Sequence, residues 1–191
     1  YALLRPEFAE LRHFSLERRK DPVFKEILIN MGGTDNDNIT EKVLQELEDC
    51  NLPRDIVITI VMGGSSPHLE RVKSRIDNLP FKTEIKIDVD NMAEIMSNAD
   101  IGIGASGTTT WERCCLGLPT IQIISANNQK DIAKNLKKIN AIKLLNNKET
   151  LQELLNNIFE WMKSVGDISA SICDGLGSKK VMNFIIQPKL R

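Results

Sequence analysis

The chain has 191 residues, with 25 Lys and Arg against 26 Asp and Glu for a net charge of −1, and it is 41% hydrophobic and 27% charged. Such a composition is too apolar for a disordered chain and large enough to bury a core without disulfide or metal. Its dispersed basic residues give no electrostatic footprint for nucleic acid or an anionic membrane. With neither a run of roughly 20 apolar residues nor a signal-peptide pattern, a soluble cytoplasmic protein is expected.

Cys50, Cys114, Cys115 and Cys173 form no CxxC spacing, so reduced, buried thiols are expected. The chain starts at Tyr1 without a methionine, which points to a piece of something longer. Over 7–19, the spacing of Phe8, Leu11, Phe14 and Leu16 predicts a short amphipathic helix with a basic far side, closed before Asp21 and Pro22. We read 1–20 as a lead-in or interdomain linker and 21–191 as one domain.

Beyond the lead-in, short apolar runs without helical period alternate with amphipathic stretches, each junction marked by Gly, Asn, Ser or Pro. Strands are predicted over 26–31, 56–62, 83–87, 100–104, 120–124 and 141–145. Helices are predicted over 40–50, 68–77, 92–98, 108–116, 129–139 and 150–163, with a closing helix over 178–186. This alternation argues for an α/β fold, a doubly wound and mainly parallel six-stranded sheet with helices on both faces. Ligands of such sheets bind outside the carboxyl ends of the strands, so the loops there carry the functional information.

After the first strand, Gly32 and Gly33 let backbone amides approach a ligand, and the next helix offers its positive end to an anion. Equally, this is a loop that needs positive φ, with Asn38 as a helix cap. Gly63 and Gly64 follow the second strand in similar fashion, and neither loop holds the GK[ST] of a triphosphate-binding loop. The densest segment is 100–112 (DIGIGASGTTTWE), where small and hydroxyl residues mark a strand turning into a helix. Amides and hydroxyls there suit a diphosphate. Glu112 follows as a carboxylate able to accept from two ribose hydroxyls, or alternatively as a first-turn glutamate or capping-box partner.

Gly102, Gly104 and Gly107 match GxGxxG literally, but the first two fall inside a predicted strand of the fourth βα unit, which argues against a nicotinamide cofactor. Asn128 and Gln129 open a helix either as ordinary caps or as polar ligand contacts. His13 and His68 lack any supporting triad or metal pattern, and no metal or cofactor is expected.

Residues 28–38 (LINMGGTDNDN), 91–96 (NMAEIM), 98–100 (NAD) and 104–119 (GASGTTTWERCCLGLP), followed by Asn128 and Gln129, together resemble the C-terminal half of a bacterial UDP-sugar hydrolase family. That family acts on UDP-2,4-diacetamido-2,4,6-trideoxy-β-L-altropyranose in pseudaminic acid biosynthesis, supplying sugar for flagellin and surface glycans. Residues 1–8 (YALLRPEF) resemble its interdomain connection. A wider similarity is to GT-B glycosyltransferases, especially the UDP-GlcNAc transferase of lipid II synthesis.

The resemblance implies that 21–191 is a Rossmann-like UDP-binding domain, one half of a GT-B fold. It implies that Glu112 holds the ribose and that Ser106, Gly107, Thr108 and Thr109 meet the diphosphate. Gly33 and Thr34 would lie near phosphate and sugar, Val89 would pair with the uracil edge through its backbone, and Asn128 and Gln129 would stand at the sugar-phosphate end. The family's GxGHxxR segment, whose histidine is the proposed base, has no counterpart here. The implied partners are UDP or a UDP-sugar and an N-terminal catalytic domain outside this chain.

Overall fold

The computed structural model describes residues 2–146 and 149–186, so Tyr1 and the last five positions of the expected domain lie outside the described residues. Strands β1 (Glu26–Asn30), β2 (Val57–Met62), β3 (Lys82–Ile87), β4 (Ile101–Ala105), β5 (Thr120–Ile123) and β6 (Lys143–Leu144) form one sheet in the order β3-β2-β1-β4-β5-β6. Every pairing is parallel. The fold is the expected Rossmann-like α/β sheet, and its strand order reverses between β1 and β4.

Central strands are apolar on both faces, as a doubly covered sheet requires. In β1, Ile27 and Ile29 pack with Ile58, Ile60, Ile101 and Ile103 beneath α2 (Ile39–Glu48) and α3 (Leu69–Ile76), while Leu28 faces the opposite layer. That second layer holds α1 (Pro6–Arg18), α4 (Met92–Asn98) and α5 (Thr109–Cys115). On the edge strand β3, Lys82, Glu84 and Lys86 blunt the exposed rim.

Helix α1 departs from the expected amphipathic pattern. Phe8 and Ser15 are fully buried, whereas Phe14 is exposed. Its basic side faces inward: Arg12 donates to the carbonyls of Ala170, Cys173 and Cys115, and Arg19 to those of Met96, Ala99 and Leu116. These are orphan carbonyls at helix C-terminal ends, so the arginines act as caps. Asp100, expected to start the dense ligand-binding segment, lies at the other end of β4, ion-paired with Arg18 and accepting from the Lys25 and Glu26 amides.

The helix expected over 150–163 is divided. Helix α6 (Lys130–Lys138) precedes β6, and a capping box between Thr150 and Glu153 starts α7 (Leu151–Asn156) after it. Asn157, at φ −102° and ψ 21°, then separates α7 from α8 (Ile158–Ile172). Helix α8 outruns the expected end because its small residues Gly166, Ser169 and Ala170 are buried. A methyl at Gly166 would stand 2.9 Å from the Gly117 carbonyl oxygen, so the close approach requires glycine. Gly177–Ile186 forms the closing helix α9. All four cysteines are buried free thiols.

Candidate functional site

Where β1 and β4 diverge, a cleft of about 320 Å³ opens at the carboxyl edge of the sheet. Gly33, Val89, Thr109 and Glu112 line it, joined by Arg5, Asn30, Gly32, Gly63, Asp88 and Met92. Five segments distant in sequence therefore converge on the topological switch point, where doubly wound sheets bind ligands.

The turn after β1 is held in an unusual backbone path. Gly32 (φ 96°), Asp35 (φ 42°) and Asn38 (φ 51°) all have positive φ. The expected Asn38 cap is not what closes α2: Asn38 makes no capping bond, and Asp35 accepts from the amides of Ile39 and Thr40, each at 2.9 Å. This carboxylate fills the N-terminal end of α2, so an incoming anion does not find it free. The loop after β2 props the first from beneath. Ser66 donates to the Thr34 carbonyl at 2.9 Å, His68 contacts the Asn36 carbonyl at 3.0 Å, and a methyl at Gly63 would overlap the Gly33 carbonyl. Thr34 itself is exposed beside Gly33.

The turn after β4 is organised differently. Thr108 stands at the start of α5, and no side chain caps the helix. Ser106 is fully buried, and both its amide (3.1 Å) and its hydroxyl (3.4 Å) donate to the Ile123 carbonyl, so its donors face β5. Gly107, Thr108 and Thr109 form the accessible part of the turn. The Gln129 amide nitrogen lies 3.8 Å from where a Gly107 methyl would stand, and its carbonyl oxygen accepts from the amide and hydroxyl of Ser125. Gln129 thus turns its donor end toward Gly107, while Asn128 is exposed within a short 3₁₀ turn, Asn127–Gln129.

Glu112 takes no part in a capping box. Burial raises its pKa above the usual carboxylate value, and the positive charge of Arg5 opposes that rise. Arg5, which the sequence did not single out, pairs with Glu7 at 3.0 Å and donates to the Asp90 carbonyl at 2.9 Å. Asp88 (φ 48°), also missed, accepts from the Gly64 amide at 2.8 Å and so fixes the far wall of the cleft. A half-buried carboxylate, a cation and a glycine-rich floor suit a ligand that carries both hydroxyls and negative charge.

Gly102 and Gly104 lie inside β4 rather than on a phosphate turn; Gly104 makes room for Arg113, and Gly102 for Leu118, Thr120 and the Arg113 stem. Among the described residues no group of three His, Cys, Asp or Glu could hold a metal ion, and no helix is long and apolar enough to cross a membrane. A second cleft, about 360 Å³, lies at the opposite sheet edge among Arg12, Arg18, Arg19 and Lys163. These four cations already donate to main-chain carbonyls or pair with Asp100, and Lys20 beside them pairs with Glu17.

Residues 27–166 match the model of the glycosyltransferase family 28 C-terminal domain. The spore coat polysaccharide biosynthesis protein SpsG of Bacillus subtilis is 32% identical over 134 residues, covering 70% of this chain and 38% of SpsG. MurG of Acinetobacter baumannii superposes with a TM-score of 0.71 at 20% identity, over 93% of this chain and 53% of that one. A co-structure of S. aureus MnaA with UDP superposes at 0.65 and 14% identity, over 96% of this chain and 53% of the other. The chain spans 29% and 38% of the lengths of the curated relatives it matches. With a family match across most of the strands and helices, and a sheet that superposes on one half of GT-B structures, the chain belongs to the glycosyltransferase family 28 C-terminal domain family.

Proposed function

We propose that this domain binds UDP at the switch-point cleft and is the nucleotide-binding half of a UDP-sugar hydrolase of pseudaminic acid biosynthesis, working in the cytoplasm with a catalytic N-terminal domain. The observation that carries the nucleotide reading is the cleft that unites Gly33, Val89, Thr109 and Glu112 at the β1–β4 divergence. Glu112 would accept from the ribose hydroxyls, the Gly107–Thr109 turn would meet the diphosphate, and Gln129 would donate at its sugar end. In the complete enzyme, water oxygen bonds to the anomeric carbon and gives its proton to a base of the other domain. The bond from that carbon to the diphosphate oxygen breaks with its electron pair, and preorganised donors stabilise the charge that builds there.

The same cleft serves a GT-B glycosyltransferase half equally well, and the matching family is described as a glycosyltransferase domain. The two differ in whether water or an acceptor hydroxyl attacks. The melting temperature of the domain with UDP, UMP, ADP or NAD tests the shared part. At about 100 times the dissociation constant, UDP should stabilise by roughly 2.7 kcal/mol, a shift of about 5–10 °C. No shift with UDP, or a shift selective for NAD, contradicts the nucleotide reading. Release of UDP by the full-length protein without an added acceptor then separates hydrolase from transferase.

A further inference from the structure

Among the described residues Arg113 is the most deeply buried lysine or arginine, with 2% of its surface exposed. Its Nη2 donates to the Ala105 carbonyl at 2.5 Å and lies 3.5 Å from the Thr110 hydroxyl, while its Nε has no partner. Among the described residues, none of the ion pairs within 4.0 Å involves it. A guanidinium buried without a counter-ion is costly and demands a reason.

The sheet is built around this charge. A methyl at Gly104 would overlap its Nη1, and one at Gly102 would stand 3.4 Å from its Cδ. Gly104 pairs in register with Asn30, and Asn30 lines the cleft together with Glu112, the residue just before Arg113. The guanidinium therefore lies under the cleft floor, at the point where β1 and β4 part. Burial lowers its pKa to about 10, which leaves it charged at neutral pH. Cys114 and Glu112, on its own helix, are the titratable groups that act on it, and β4 faces it with Gly102, Gly104 and the Ala105 carbonyl.

We propose that Arg113 is a specificity-determining, positioning residue whose buried charge beneath the cleft floor favours a nucleoside diphosphate over the uncharged nucleoside. It acts without touching the ligand, through the field across the floor and its hold on the Ala105 carbonyl. This rests on the nucleotide reading above. In a site of low dielectric such a charge acts over several ångströms, so an effect of about tenfold is expected.

Calorimetric titration of uridine and UDP into wild type, Arg113→Gln and Arg113→Lys tests it. The preference for UDP over uridine should fall about tenfold in Arg113→Gln, with uridine affinity unchanged. Arg113→Lys should keep the preference at the low end of pH 7.5–9, where UDP is fully ionised, and lose it toward the high end, because a buried ammonium gives up its proton more readily than a guanidinium. The wild type should stay flat over that range. Parallel weakening of uridine and UDP, or an unchanged preference in Arg113→Gln, overturns the proposal. If Arg113→Gln does not fold, a pH-independent preference in Arg113→Lys overturns it alone. A wild type that binds UDP no better than uridine sinks the diphosphate reading itself, and this proposal with it.

Discussion

The turns after β1 and β4 are both glycine-bearing, both end strands at the switch point and both lead into a helix. Their electrostatics are opposite. In the first, the Asp35 carboxylate already accepts from the α2 amides, so negative charge is built into the protein. In the second, no side chain caps α5 and a buried cation, Arg113, sits behind the turn. Glycine content alone does not make an anion site, and a carboxylate already seated at the helix start weighs against one. The first turn supplies shape through Gly32 and Gly33, and the second supplies positive potential.

The sharpest way to break this contrast is Gly107→Val. Among the described residues beyond its chain neighbours, only the Gln129 amide nitrogen, at 3.8 Å, comes within 4 Å of the position of a Gly107 methyl, so the fold should tolerate the added carbons. UDP affinity should fall by more than about 100-fold through loss of near-backbone contact, with the melting temperature shifted by no more than about 2 °C. Normal UDP affinity in this variant would place the diphosphate elsewhere. Glu112→Ala comes next: loss of a charge-assisted bond should weaken UDP by about 1.5–3 kcal/mol in calorimetry. An unchanged dissociation constant removes Glu112 from the ribose.

Asp35→Ala sharpens the comparison from the other side. It should cost about 1–2 kcal/mol of stability in urea melts, the loss of a helix cap, because two amides of α2 lose their acceptor. If stability does not change, the first turn is not held by that carboxylate. The smallest effect concerns pH. Burial raises the Glu112 pKa in the folded state, so the folded protein binds that proton more tightly than the unfolded chain does. The resulting stabilisation is full below the unfolded carboxylate pKa and is lost as pH rises through the folded value. At neutral pH, Glu112→Gln should therefore raise the melting temperature of the ligand-free protein slightly, by about 1–3 °C, while lowering UDP affinity. A lower melting temperature would mean that the carboxylate supports the fold.

The sheet was legible because each central strand is a short apolar run closed by glycine or a polar turn, as at residues 26–31 and 100–104. The single helix expected over 150–163 was not divided in advance because nothing in its apolar spacing marks Asn157 as a break. Of the site, Gly33, Val89, Thr109 and Glu112 could be placed near one another once each was assigned to a strand end. Arg5 could not, because its contact with the Asp90 carbonyl spans 85 positions and depends on how α1 packs. The Asp35 cap hides in a run of similar residues (TDNDN), where only the fold selects one carboxylate. Arg113 did leave a trace. Glycines at alternate positions of β4 leave one face of the strand bare, and a bare face in a packed sheet implies a large side chain above it.

The most direct measurement follows the backbone amides of the isotope-labelled domain by NMR as UDP is added. Shifts concentrated at Gly107, Thr108, Thr109, Glu112 and Gly33, with Ile39 and Thr40 held still by their bonds to Asp35, are the expected result. Shifts centred instead on Ile39 and Thr40, or around Arg12 and Lys163 at the opposite edge of the sheet, would contradict a diphosphate seated on the β4 turn.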